Sequence, residues 1–147
     1  DLAGRKLSMA GGAAFEELFV DIEQTIESCS TSSHPDLPPL AERLEDGLDA
    51  LKEAAGWLKT SDPADRLSGA SPFLTLAGEV IGGWMLCLGA VAVRRRQKEN
   101  IGDPKFAAER IALANFYAEA VLALSPSRVD DITIGYDMIT ELGFEAG

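Results

Sequence analysis

Apolar side chains recur along most of this chain at the three- and four-residue steps of amphipathic helices. Phe15, Leu18, Phe19, Ile22 and Ile26 share one face, and Glu16, Glu17, Asp21, Glu23 and Glu27 take the other, which predicts a helix from Ala13. Residues 28–39, SCSTSSHPDLPP, collect serines, a threonine and three prolines, and such residues favour a loop. A second helix is expected to start near Leu40. Leu37, Leu40, Leu44, Leu48, Leu51, Ala55 and Leu58 form its narrow stripe, with acids and lysines on the remaining faces. Glu45 and Asp49 stand one turn apart, a like-charge pair that costs a few tenths of a kcal/mol. The stability of this helix therefore has to come from packing.

The pattern then changes. Residues 73–93, FLTLAGEVIGGWMLCLGAVAV, are apolar on every side, with only Thr75 and Glu79 polar, and they end on Arg94, Arg95 and Arg96. Such a helix is the buried centre of a helical protein or a membrane span. Three other amphipathic segments give it a home in a core. Glu79 argues against a span, since an acid in the bilayer costs several kcal/mol. Glycines at 78, 82, 83 and 89 each cost nearly 1 kcal/mol in a helix, which points to close helix contacts. The expectation is a central helix in a soluble bundle.

Thr60-Ser61-Asp62-Pro63 is a helix-start signal, and residues 68–72, SGASP, interrupt the helix it would open. The expected order is a short helical turn, a break, and a long helix to about Lys98; a Pro72 kink in a continuous helix is the alternative. Asn100-Ile101-Gly102 closes it, and Asp103-Pro104 opens another helix. Phe106, Leu113, Phe116, Tyr117, Ala120, Val121 and Leu124 give that helix a broad apolar face. Ser125-Pro126-Ser127 disturbs it. Residues 128–142 predict one more short helix, with a strand over 131–136 as the alternative. The fold class is all-α: an antiparallel four-helix bundle with a short extra C-terminal helix. Residues 1–12 are expected to be a leader, with Gly11-Gly12 as a loop, and residues 13–147 the bundle.

Composition narrows the function. Lys plus Arg is 13 and Asp plus Glu is 24, a formal net charge of −11. Nucleic acid and anionic membrane surfaces would repel that charge. Two cysteines, Cys29 and Cys87, give no disulfide framework, so a reducing, cytoplasmic setting is expected. The chain opens on Asp1, with no signal-peptide pattern, and reads as a piece of something longer.

Residue chemistry shows no active site. His34, the single histidine, lies in a loop, and one histidine with two distant cysteines makes no zinc set. Ser33, His34 and Asp36 look like triad fragments, but a triad is a spatial arrangement. Asp130-Asp131 lacks a second acidic cluster for a metal. No G-x-G-x-x-G or Gly-Lys-Ser/Thr is present. Glu79 needs a partner if buried; Arg110 is the candidate, and contact with water near the helix end is the alternative. Trp84 and Trp57 are expected to be packing residues.

Three blocks in order resemble a known family. They are Leu76-Ala77-Gly78, then Gly82-Gly83-Trp84-Met85-Leu86, then Phe106, Arg110, Ala114 and Phe116-Tyr117-Ala118-Glu119. Together they are similar to the C-terminal extension of a subgroup of flavin-dependent acyl-CoA dehydrogenases. Asp1-Leu2-Ala3-Gly4-Arg5-Lys6-Leu7 resembles the segment where the catalytic domain hands over to that extension. The resemblance implies an upstream catalytic domain as partner, with FAD bound there and none in this fragment. It implies oxidation of an acyl-CoA to a 2-enoyl-CoA, by a glutamate base in a Tyr-Glu-Gly type motif and hydride passage to the flavin. That motif is absent here, so no residue of this chain is expected to be catalytic, cofactor-binding or metal-binding. Arg110 stands where the family often has lysine. Ala123 stands where it often has proline. A packing and substrate-access role, a homo-oligomer and no membrane are further expectations. The rivals are a free-standing interaction bundle with a groove for a partner helix, and a protein anchored through residues 73–93.

Overall fold

The structure, a computed structural model, describes residues 10–60 and 63–141. Helix α1 is Ala10–Ser30, α2 Pro38–Thr60, α3 Pro63–Lys98, α4 Pro104–Ala120 and α5 Ser125–Glu141, with a 3₁₀ turn at Leu122–Leu124. No strand occurs among the described residues. The first four helices run up-down-up-down. Phe15 meets Phe73 and Thr25 meets Trp84, so α1 and α3 are parallel. Arg43 reaches Glu119, and Asp36 reaches Asn115, so α2 and α4 are parallel too. Short connections between consecutive helices make neighbours antiparallel, as in a four-helix bundle.

The helix ends obey local chemistry. Pro38 and Pro39 open α2, where a missing N–H costs nothing. The Asn100 N–H bonds to the Gln97 carbonyl and the Ile101 N–H to that of Arg96, with Asn100 at φ 55°. This is the left-handed stop in which asparagine replaces glycine. Asp103 then caps α4 by accepting from the Lys105 N–H at 3.0 Å, with Pro104 at the first position.

The centre of the bundle is α2, not α3. Leu37, Leu40, Leu44, Leu48, Leu51 and Leu58 are all buried, and alanines at 41, 50, 54 and 55 widen the leucine stripe. Every other helix packs on α2. Helix α3 is buried on one side only, through Phe73, Leu76, Val80, Cys87 and Ala90. It is long and apolar enough to cross a membrane, and a third of its most apolar stretch is buried by the other helices.

Several expectations change. The break before Phe73 is absent, and α3 runs continuously for 36 residues with Pro72 inside it. Pro72 forfeits one backbone hydrogen bond, and burial of Phe73 against Phe15 immediately after it fixes the helix there. Ala10–Gly12 are helical rather than a loop, while residues 1–9 of the expected leader lie outside the described residues. The last helix is not short: α5 has 17 residues, the same as α4. Pro126 opens it instead of breaking it, since proline suits the first helical turn.

Candidate functional site

Of the residues singled out from the sequence, Glu79, Gly82, Gly83 and Tyr117 gather where α3, α4, the 3₁₀ turn and α5 meet, and Gly78, Trp84, Arg110 and Phe116 lie elsewhere. Tyr117 of α4 donates its phenol O–H to the backbone carbonyl of Glu79 at 2.6 Å. A Cβ on Gly82 would stand 2.8 Å from the Tyr117 oxygen, and one on Gly83 would stand 2.7 Å from Leu122 Cδ1. These two glycines are needed where the 3₁₀ turn and α4 press on α3. Gly78 and Gly89 are different, because open space lies above both. Close helix packing explains two of the four glycines and not the others.

Glu79 is 17% exposed and faces Arg128 of α5, with Nε 3.0 Å from Oε1. The N–H is not aimed at the oxygen, so the contact is an ion pair without an aligned hydrogen bond. The partner is not Arg110. That guanidinium lies exposed, 5.1 Å from the centre of the Phe106 ring, on the solvent side of α4. Sequence spacing does not find Arg128, because the pattern presents α5 as a minor appendage. Glu79 also influences Tyr117. Burial, and then the nearby Glu79 charge, raise the phenol above its ordinary ionisation range, so it stays a donor.

Trp84 packs against the core and donates its indole N–H to Thr25 Oγ1 at 2.9 Å. Thr25 in turn donates to the Asp21 carbonyl at 3.3 Å. Phe116 lies outside the core, 71% exposed. The buried face of α4 is instead Ala107, Ile111, Ala114 and Ala118. Small residues there let α4 approach α2 and α3 closely, which leaves the larger Phe106, Leu113 and Phe116 outside.

The remaining candidate groups have local partners. His34 Nδ1 accepts the Asp36 N–H at 3.1 Å, and Ser33 Oγ accepts from Arg94 at 3.3 Å. These bonds stitch the α1–α2 loop and align no nucleophile with a base. No group of three His, Cys, Asp or Glu side chains able to hold a metal occurs among the described residues. Two concavities among the described residues are lined by charged side chains. One of about 360 Å³ is lined by Glu16, Glu17 and Asp21, which would repel a diphosphate. One of about 250 Å³ carries Arg94, Arg95 and Lys98. Those cations sit at the C-terminal end of α3, where they offset the helix dipole.

A helical bundle built on packing contacts, with its polar side chains used between helices, is the class this fold defines. Residues 18–143 match the family described as acetyl-CoA dehydrogenase C-terminal like, so the chain belongs to that family. It is also 32% identical over 140 residues to a 3-methylmercaptopropionyl-CoA dehydrogenase from Ruegeria pomeroyi. That alignment covers 89% of this chain and 23% of the relative, so the chain spans about a quarter of that protein's length.

Proposed function

We propose that this chain is the C-terminal helical accessory domain of a flavin-dependent acyl-CoA dehydrogenase. The match to the C-terminal family over residues 18–143 carries this reading. An upstream catalytic part holds FAD and oxidises an acyl-CoA to a 2-enoyl-CoA, in a cytoplasmic homo-oligomer. The relative's name supports a CoA thioester as substrate. The C-terminal domain itself is non-catalytic. It packs on the catalytic part, shapes access for the acyl chain and supports the assembly.

The test is the longer polypeptide encoded by the reading frame that contains this chain. Purified, it is expected to be yellow with bound FAD and to oxidise an acyl-CoA with a dye as electron acceptor. A longer protein without flavin overturns the proposal.

A further inference from the structure

The outward side of α3 carries an apolar seam that nothing in this domain covers. Leu74, Gly78, Ile81, Met85, Leu88 and Ala92 succeed one another at alternating steps of four and three, the repeat of a coiled-coil contact line. All but Ile81 are exposed, with Leu74 at 67% and Met85 at 63%. No charged side chain lies on this seam, although the whole chain carries 37 charged residues. Glu79, the one acid between residues 67 and 93, is turned inward to Arg128. On α4, Leu113 stands one turn before Tyr117, the residue that meets α3, and both Leu113 and Phe116 are exposed. Gly78 lies on the seam itself, with open space above it.

We propose that this seam, together with Leu113 and Phe116, is the docking surface for an apolar helix of the upstream part of the same polypeptide. This rests on the reading that the chain is the C-terminal domain of a longer dehydrogenase. Two observations select that occupant. The relative that matches is about four times longer than the aligned segment, so most of such a polypeptide lies outside this structure. The five large exposed side chains also present an area on the order of 500 Å², the size of the largest apolar patch on a typical monomer, which is often functional, and below the ~800 Å² per partner of a free-standing dimer. A covalent tether removes that shortfall, because it raises the effective concentration of the partner surface to the millimolar range. The seam repeat asks for a helix, and the open space over Gly78 lets the incoming backbone come close.

The experiment uses the full-length protein with single cysteines introduced as Met85→Cys and Phe116→Cys, and Glu53→Cys on exposed α2 as control. Maleimide labelling at each position is combined with peptide mass spectrometry, and flavin absorbance is recorded for the same samples. In the yellow protein, labelling at 85 and 116 is expected to be at least about tenfold slower than at 53 and unchanged by dilution, as for a buried intrachain contact. Adding Gly78→Leu, at a position where this domain leaves a Cβ free of contact, is expected to restore fast labelling at 85. Equal labelling at all three positions in a flavin-containing protein overturns the docking surface while leaving the proposed function standing. Protection lost on dilution assigns the face to a second copy, and protection gained only with lipid vesicles assigns it to a membrane; either overturns the inference. A full-length protein without flavin fails at the proposed function instead.

Discussion

The phenol of Tyr117 and the backbone carbonyl of Glu79 are 2.6 Å apart, and this bond joins α4 to the middle of α3. The carbonyl has a second lone pair beyond the one used within its helix, so Tyr117 adds a bond without removing one. Tyr117→Phe keeps the ring packing and loses the bond. The expected cost is about 1 kcal/mol in denaturant unfolding, the net worth of a neutral hydrogen bond. An unchanged midpoint would show that water replaces the phenol at that carbonyl.

The same phenol sets a pH dependence. Its ionisation in the folded state is raised above the ordinary 10.0, first by burial and then by the charge of Glu79. The unfolded chain releases this proton near the ordinary value, while the folded chain retains it. The stabilisation is therefore whole below about pH 10 and shrinks as pH climbs from there through the folded-state value. Between pH 9 and about pH 11 the wild type should lose more stability than Tyr117→Phe, which has no proton to lose at this site. Parallel curves for the two proteins refute the shift.

Gly78 and Gly83, both on α3, should respond to alanine with opposite signs. Gly83→Ala drives a methyl into Leu122, itself fully buried, at 2.7 Å. The expected loss is about 1–3 kcal/mol, as for other overpacked cores. Gly78→Ala meets nothing within this domain, so helix propensity alone should make the domain more stable by up to about 1 kcal/mol. Urea midpoints of the two variants of the 147-residue chain separate the effects, and a stabilising Gly83→Ala contradicts the contact.

Much of the bundle was legible in the sequence because its signals are local. The leucine stripe of α2, the Asn100 stop and the Asp103-Pro104 start need only a few neighbouring residues. The outward side of α3 was not legible. A helix apolar on all sides gives no moment to say which side is buried, and the leucines at 74 and 88 look the same in sequence as Leu76. On α4 the larger residues suggested the inner face, whereas the alanines at 107, 114 and 118 occupy it. Size decides there, since the space between close helices admits only small side chains. The partner of Glu79 depended on how α5 folds back, and no local spacing encodes that.

Arg128→Ala tests the ion pair directly. Glu79 is 17% exposed with Arg128 in place, and removing the partner leaves a part-buried carboxylate uncompensated, which is destabilising. Arg128 is itself 42% exposed, so solvent screening moderates the effect to about 1–2 kcal/mol. Arg110→Ala should change stability by less than about 0.5 kcal/mol, as at other exposed positions. A double-mutant cycle pairing each arginine change with Glu79→Gln is expected to give coupling for Arg128 and none for Arg110. Coupling of the reverse pattern would restore Arg110 as the partner.

Cys29 and Cys87 stand 58 positions apart, and the fold brings them together between α1 and α3, both fully buried. Contact with Cys29 and burial push the Cys87 thiol far above its ordinary range, so it offers almost no thiolate, the reactive form. The same contact shifts the Cys29 thiol downward, but burial keeps reagent from both sulfurs, so a thiol reagent in solution should modify neither residue until α1 separates from α3. Labelling should then proceed at a rate set by unfolding of the core, and any variant that weakens the core should label faster in proportion. Gly83→Ala supplies that comparison, because it loosens α3 without touching either sulfur. Mass spectrometry of the wild type after native labelling should find both thiols free, and after urea both modified. Rapid modification of Cys87 in the folded chain would mean that this part of α3 opens independently of the core.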